Sequence, residues 1–227
     1  MRSFQLHAAA LAAAFVLAHA EASAQTASPR VSAPAIDSVG ASGEAEESAW
    51  NFEALAYAYV APEDEDFLMP LVYADRQHLH FEARYNYEAL ETGSLWAGYR
   101  LGAEGTISFE AIPMLGGVLG DVNGMAPGYE IALGYDRFEL YSEGEYFFDF
   151  EDEAGNFFYS WSELSFRPVE RFRFGLVGQR MRVYETDVEI QRGVLAGVDF
   201  EQVGFTGYVL NLGWDDPTWV FSAYVDF

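Results

Sequence analysis

Polar side chains recur at every second position between residues 78 and 88, and their types are those that carry out chemistry in proteins. In chain order they are His78, His80, Glu82, Arg84, Asn86 and Glu88. Imidazole and carboxylate groups serve as general bases or metal ligands, whereas rings of charged side chains select ions inside water-filled pores. Each use needs different partners, so the rest of the sequence must distinguish between them.

Partners for catalysis or metal binding are not evident. A nucleophilic serine needs a base within reach, yet beyond residue 24 the only histidines are His78 and His80, and no Gly-x-Ser-x-Gly motif occurs. The two imidazoles share a face, but a third metal ligand such as Glu110 or Asp136 would be a guess. The absence of cysteine excludes thiol chemistry. We therefore expect no catalytic residue, no metal site and no cofactor.

A β-strand with one polar and one apolar face would position these groups. The residues between the polar positions of 78–89 are Leu79, Phe81, Ala83, Tyr85, Tyr87 and Ala89. Strict alternation predicts a strand, and a tilted strand needs ~9–11 residues to cross a bilayer. The same pattern returns in 138–150, where Glu139, Glu143 and Glu145 share the polar face.

Twelve strands are predicted from Trp50 onward, with ten as the alternative count. They cover 50–60, 67–75, 78–89, 94–101, 106–114, 129–136, 138–150, 158–167, 171–184, 192–200, 203–213 and 218–227. The alternation slips within 171–184, where Gly175 or Gly178 is expected to mark a bulge. The faces of 67–75 and 203–213 cannot be assigned from the pattern.

Charge collects on the predicted inner face. The chain has 36 acidic and 12 basic residues and a net charge of -24, which excludes nucleic acid as a partner because phosphate would be repelled. Carboxylates outnumber guanidiniums inside, so water or cations must neutralise the excess. The inner-face residues are Glu53, Glu82, Arg84, Glu88, Arg100, Glu110, Glu130, Glu139, Glu143, Glu145, Glu163, Arg167, Arg180 and Arg182.

The connections between these strands alternate in length and charge. The odd-numbered ones (62–66, 91–93, 116–127, 151–156, 186–191 and 215–217) are mostly longer and acidic, whereas the even-numbered ones (75–77, 102–105, 136–137, 168–170 and 201–202) are short. Three of the short turns carry arginine at or beside them. Long loops on one side and short turns on the other are typical of a membrane barrel with both chain ends on the turn side.

The N-terminal region has the pattern of a secretory signal. Arg2 precedes the apolar run 8–18, and Ala22-Ser23-Ala24 provides a small-x-small cleavage site, so residues 1–24 are predicted to be a signal peptide. Residues 25–49 are poor in aromatics and are predicted to be flexible. Residues 50–227 would form one domain. Beyond the signal no apolar run approaches the ~20 residues of a spanning helix, and strands can cross lipid only as a closed barrel.

The last strand is apolar on one face and ends on phenylalanine. Trp219, Phe221, Ala223, Val225 and Phe227 share one parity. This ending resembles the C-terminal insertion signal of bacterial outer-membrane proteins, and the whole chain resembles the small porin-like barrels of Gram-negative bacteria. The resemblance implies an all-β fold, an antiparallel up-and-down transmembrane β-barrel. It also implies export to the outer membrane, contact with its lipid and lipopolysaccharide, and insertion by the barrel-assembly machinery through the last strand.

Two uses of such a barrel stay open, with a third less favoured. The first is a passive, cation-preferring channel for small solutes, with the inner-face Glu and Arg residues as selectivity determinants. The second is a non-conducting barrel that stabilises the envelope or binds a partner through its acidic loops. An outer-membrane lipid hydrolase is the least favoured. An aromatic lining that stacks against sugars is a further use that inward parity allows, for Trp96, Tyr141, Tyr159 and Trp161.

Overall fold

A computed structural model describes residues 49–60, 66–183, 189–213 and 217–227, without the side chains at 182, 183 and 189. The predicted signal peptide, nearly all of the predicted flexible segment 25–49 and the side chain of Arg182 lie outside these residues. No helix in the described part of the chain is long and apolar enough to cross a membrane.

The described residues form one antiparallel sheet of thirteen strand segments. They are β1 (Asn51–Val60), β2 (Phe67–Arg76), β3 (Leu79–Tyr85), β4 (Gly93–Tyr99), β5 (Leu101–Ala103), β6 (Ser108–Leu119), β7 (Gly124–Tyr135), β8 (Phe138–Asp149), β9 (Phe157–Val169), β10 (Phe172–Val183), β11 (Glu189–Asp199), β12 (Val203–Leu210) and β13 (Thr218–Asp226). Strands β4 and β5 both pair with β6 and are separated by Arg100 alone, so they form one wall strand. The wall therefore has twelve strands.

The sheet closes on itself between its first and last strands. β13 pairs antiparallel with β1, from Glu53 opposite Asp226 to Val60 opposite Trp219. Next to this ladder, Phe227 and Phe52 exchange backbone hydrogen bonds of 2.9 and 3.1 Å, and their rings stack. The prediction of a closed, up-and-down antiparallel barrel is confirmed, and so is the count of twelve.

Side chains alternate between an apolar outer face and a mixed interior. Large apolar residues on the outer face are exposed along every wall strand, as illustrated by Val72, Phe81, Leu95, Leu115, Leu140, Leu164, Leu176, Val194, Phe205 and Phe221. Lipid is the solvent in which such a belt is stable, because it leaves no apolar surface in contact with water. The belt is therefore the membrane-facing surface of the barrel.

The two ends of the barrel differ in their connections. At the turn end, together with both chain ends of the barrel, lie the short connections 77–78, 104–107, 136–137, 170–171 and 200–202. At the loop end lie 86–92, 120–123 and 150–156. The predicted loops 62–66, 186–191 and 215–217 fall largely outside the described residues. The loop 150–156 includes a single 3-10 turn, Glu153–Gly155.

Two predicted segment boundaries need correction. The stretch 116–127 was predicted to be a loop, but β6 continues to Leu119 and β7 begins at Gly124. Its glycines serve packing as well as turning: a Cβ on Gly116 would lie 2.4 Å from the Trp96 ring. The strand predicted over 78–89 ends at Tyr85, because the chain turns inward at Asn86, whose φ is 58°.

The parity of β10 also differs from the prediction. The register against β9 shifts between Phe172 and Phe174, so the irregularity lies beside the turn and not at Gly175 or Gly178. The alternation along β10 is unbroken from Phe172 to Arg180, so Arg180 shares the outer face with Phe174 and Leu176. It is exposed, with its guanidinium 5.7 Å from the Phe158 ring. The predicted inner position of Arg180 is therefore wrong.

Candidate functional site: the charged interior

A continuous chain of charged side chains runs up the interior from the turn end. His80 Nδ1 lies 2.7 Å from Asp75 Oδ1, and His80 Nε2 lies 2.8 Å from Glu82 Oε1. Arg84 donates from Nε to Glu82 Oε2 at 2.6 Å and from Nη1 to Glu145 Oε2 at 3.1 Å. We call these five residues the His80 network. All five are buried, because they occupy inward-pointing positions of β2, β3 and β8.

Arg84 bridges two separate parts of the wall. It starts on β3 and reaches Glu145 on β8, and its guanidinium lies 4.2 Å from the Tyr87 ring and 4.3 Å from the Trp96 ring. A guanidinium held over aromatic faces gains cation–π attraction in addition to its ion pairs. The bridge therefore narrows the interior at this level.

The loop 86–92 folds into the barrel mouth and supplies two further groups. Asn86 fixes the turn, since its backbone N–H donates to Thr92 O and its side chain donates to Leu68 O. Tyr87, predicted to face outward, instead donates its hydroxyl to Glu143 Oε1 at 2.7 Å. Burial, with the nearby Glu143 carboxylate, raises the pKa of the Tyr87 phenol well above its usual value.

Glu88, on the same loop, is buried and accepts hydrogen bonds from Ser94 and Trp96. It was predicted to project inward from a strand; it does lie inside, but from the loop.

Further ion pairs line the turn end of the interior. Arg100, at the break between β4 and β5, lies 2.8 Å from Asp75 and 3.1 Å from Glu110. Arg167 lies 2.6 Å from Asp199 and 3.5 Å from Glu139. An open cleft of about 270 Å³ beside Arg167 is lined by Arg137, Glu139, Arg167 and Glu170 among others. The turn end is thus a mouth of mixed charge.

The opposite side of the interior has its own cation, Arg173, which sequence reasoning missed. Arg173 donates from Nη1 to Glu163 Oε2 at 3.0 Å and from Nη2 to Thr206 at 2.7 Å. Trp161 donates to the other oxygen of Glu163 at 2.8 Å. The signal that could have found Arg173 is the parity of Phe172, Phe174 and Leu176, which face lipid and leave position 173 inside.

Glu130, on β7, approaches the His80 network from another strand. It is 3 % exposed, and the hydroxyl of Tyr141 donates to it at 3.1 Å. One ligand atom each from His80, Glu82 and Glu130 lies within 4.8 Å of the other two. The third candidate ligand beside the imidazole is therefore Glu130, and not Glu110 or Asp136 as considered from the spacing.

Negative charge dominates the interior. The described residues include eight buried acidic side chains against two buried arginines and one buried histidine. The acidic set is Asp75, Glu82, Glu88, Glu110, Glu130, Glu145, Glu163 and Asp199, and the basic set is Arg84, Arg173 and His80. Glu139, Glu143, Arg100 and Arg167 are half-buried and point into the same space. The arginines cannot neutralise this many carboxylates.

Apolar and aromatic side chains fill much of the remaining interior. One cluster, around Trp96, Phe147 and Phe157, lies toward the loop end. A second, around Trp161 and Tyr208, joins β7 through β13 across the interior. Trp96, Tyr141 and Trp161 are buried, and Tyr159 meets Tyr87 edge to face at 5.6 Å. The interior is therefore narrow, with its charges grouped into two patches.

Within the described ranges, the ring nitrogens of His78 and His80 have oxygen partners other than hydroxyl groups. Both ring nitrogens of His80 face carboxylates, and His78 is exposed in a turn with Nδ1 3.1 Å from Arg100 O. A hydrolase would need one of these nitrogens directed at a hydroxyl.

Comparisons with known proteins support the fold. No protein-family model and no curated protein matches the chain. Among solved structures, the KdgM porin matches with a TM-score of 0.56 at 12% identity, covering 77% of this chain and 99% of that one. The KdgM porin in complex with disordered oligogalacturonate gives the same TM-score and coverage at 11% identity. Pseudomonas aeruginosa OccK5 (OpdH) matches with a TM-score of 0.43 at 8% identity, covering 82% of this chain and 68% of that one.

Proposed function

We propose that this barrel is an outer-membrane channel that passes small cationic solutes and ions in preference to anions. The observation that carries the proposal is the excess of buried carboxylates over cations inside a closed, lipid-facing barrel. Carboxylate-lined walls lower the energy of a cation in a narrow aqueous path and raise that of an anion. The likeness in fold to a porin is consistent with this use.

The interior charge argues against the kind of ligand seen with the KdgM porin. That porin has been solved in complex with oligogalacturonate, which is a chain of sugar acids and therefore a polyanion. A polyanion entering the present interior would meet Glu130 and Glu143, which form no ion pair with an arginine among the described residues, while Arg84 is already engaged by Glu82 and Glu145. The fold is thus shared, but the expected selectivity is opposite.

The narrowest level of the path is expected where Arg84, Tyr87, Glu143 and Glu145 meet. These side chains come from different parts of the wall and from the inward-folded loop, so a solute must pass beside them. We expect a small single-channel conductance for that reason.

A non-conducting barrel is the second candidate, and one specific observation favours it. Side chains from well-separated parts of the barrel meet inside it, as in the contact between Tyr87 of the inward-folded loop and Tyr159 of β9. A barrel filled by its own side chains needs no aqueous path.

Single-channel recording in a planar bilayer under a salt gradient tests both candidates. The refolded chain should give discrete steps and a reversal potential of the sign expected for cation selectivity. Replacing Glu139, Glu143 and Glu145 together with glutamine should reduce that selectivity. The matched control is the triple replacement of Glu91, Glu151 and Glu153, which removes the same charge from exposed loop positions.

The two triple variants separate an acidic lumen from general surface charge. Equal loss of selectivity in both would remove the interior carboxylates from the mechanism. Folded, inserted protein that carries no current would establish the non-conducting barrel instead.

A further inference from the structure

We propose that His80, Glu82 and Glu130 form a zinc-binding site inside the barrel. The three side chains come from two strands that are not neighbours in the wall, β3 and β7, yet one ligand atom of each lies within 4.8 Å of the others. Imidazole nitrogens and carboxylate oxygens are both ligand types that zinc takes, and three protein ligands leave its fourth position for water. The proposal does not depend on whether the barrel conducts.

The geometry needs little adjustment to hold the ion. Zinc bonds to nitrogen and oxygen are about 2.0–2.2 Å long, so ligand atoms around a tetrahedral ion lie about 3.4 Å apart. His80 Nε2 and Glu82 Oε1 now lie 2.8 Å apart and would separate by about half an ångström to admit the ion. Glu130 would complete the set from β7, its ligand atom now lying within 4.8 Å of the other two.

The second observation is the burial and sparse bonding of Glu130. Its side chain is almost completely buried, one of its oxygens lies within 4.8 Å of an imidazole nitrogen, and among the described residues its hydrogen-bond donor is Tyr141 alone. The nearest guanidinium, that of Arg84, bonds to Glu82 and Glu145 instead. A buried carboxylate that no guanidinium pairs with is costly, and a zinc ion between Glu82 and Glu130 would place a divalent charge beside it.

The surrounding residues already have the arrangement found around metal-binding histidines. Metal-ligating histidines almost always direct their second ring nitrogen at a carboxylate, a carbonyl or water, and His80 Nδ1 faces Asp75 Oδ1 at 2.7 Å. Tyr141 in turn holds Glu130 through its hydroxyl. The ligands are thus oriented before any ion arrives, which is the property that distinguishes a site from a chance cluster of acids.

Calorimetric titration of the refolded chain in detergent with zinc sulfate tests the proposal. We expect one zinc ion per chain. Glu130→Gln, which preserves shape, and His80→Ala should each weaken binding by about tenfold or more, and Asp75→Asn should weaken it by about 10–100-fold. The matched control is His78→Ala, since His78 lies on the adjacent turn but is exposed and outside the site.

A second probe does not rely on variants that must fold. Cobalt titrated into the unaltered protein should give the visible absorption of a four-coordinate site, and zinc should displace it. Binding lost as strongly in His78→Ala as in Glu130→Gln, or no stoichiometric binding by either metal, would overturn the proposal.

Discussion

Replacing Arg84 with methionine should destabilise the barrel by about 3–5 kcal/mol, the range for removing one partner of a buried ion pair. Methionine keeps an apolar side chain against the Tyr87 and Trp96 rings but removes the guanidinium. Glu145 is 3 % exposed, its Oε2 has Arg84 as partner and its Oε1 has no hydrogen bond among the described residues. The variant therefore leaves a buried carboxylate without a cation.

The matched control is Arg180→Met, the same chemical change on the outer face. Arg180 is exposed and makes a cation–π contact with Phe158. Such a contact contributes about 0.5–1 kcal/mol at an exposed site. Equilibrium urea unfolding in lipid vesicles, followed by tryptophan fluorescence, would measure both losses. If the two agree within about 1 kcal/mol, the Arg84 bridge is not the buried ion pair that the argument requires.

Three further changes probe the packing, the membrane surface and the closing seam. Gly116→Ala should cost about 1–3 kcal/mol of unfolding free energy, because its new Cβ would meet the Trp96 ring at 2.4 Å; Gly117→Ala, with nothing within 4 Å, should cost nothing, and equal urea midpoints would contradict this packing. Leu176→Arg, at an exposed outer position in the middle of β10, should cost about 2–4 kcal/mol if that face contacts lipid; refolding into vesicles measures it, and an unchanged yield would speak against a lipid-facing belt. Deletion of Phe227 should impair insertion but not export, because it removes two backbone hydrogen bonds to β1; normal amounts of folded protein in the membrane fraction would refute the role of this residue.

The strands that could be predicted are those in which the two faces differ most. In β8, apolar residues alternate with Glu139, Tyr141, Glu143 and Glu145, so one register alone places the charges inside, and the prediction of 138–150 agrees with Phe138–Asp149. The prediction of a loop over 116–127 was wrong because glycine and proline normally interrupt strands. In this barrel Pro127 is accommodated because the β7–β8 ladder is interrupted between Met125 and Gly128. The register is the same on both sides of the interruption.

The interior residues could be predicted as a set but not as partners. Parity identifies Glu82, Arg84 and Glu145 as inward-facing, yet the contact between β3 and β8 depends on the diameter and stagger of the closed barrel, which no single strand encodes. Tyr87 was misplaced because alternation was extended past the strand end into a loop. Arg180 was placed on the wrong face because its parity was assigned without reference to Phe172, Phe174 and Leu176, whose unbroken alternation puts Arg173 inside and Arg180 outside.

The seam between β1 and β13 has a consequence for how the protein assembles. Every other pair of wall neighbours is consecutive along the chain, with β4 and β5 taken as one strand, so each can form as a local hairpin. The seam joins the first strand to the last and must await the whole domain, since contacts between distant segments form slowly. Until then both edges expose unpaired backbone groups that can pair with other chains. Closure and entry into lipid must therefore be one concerted late event, in which β13 completes the ring.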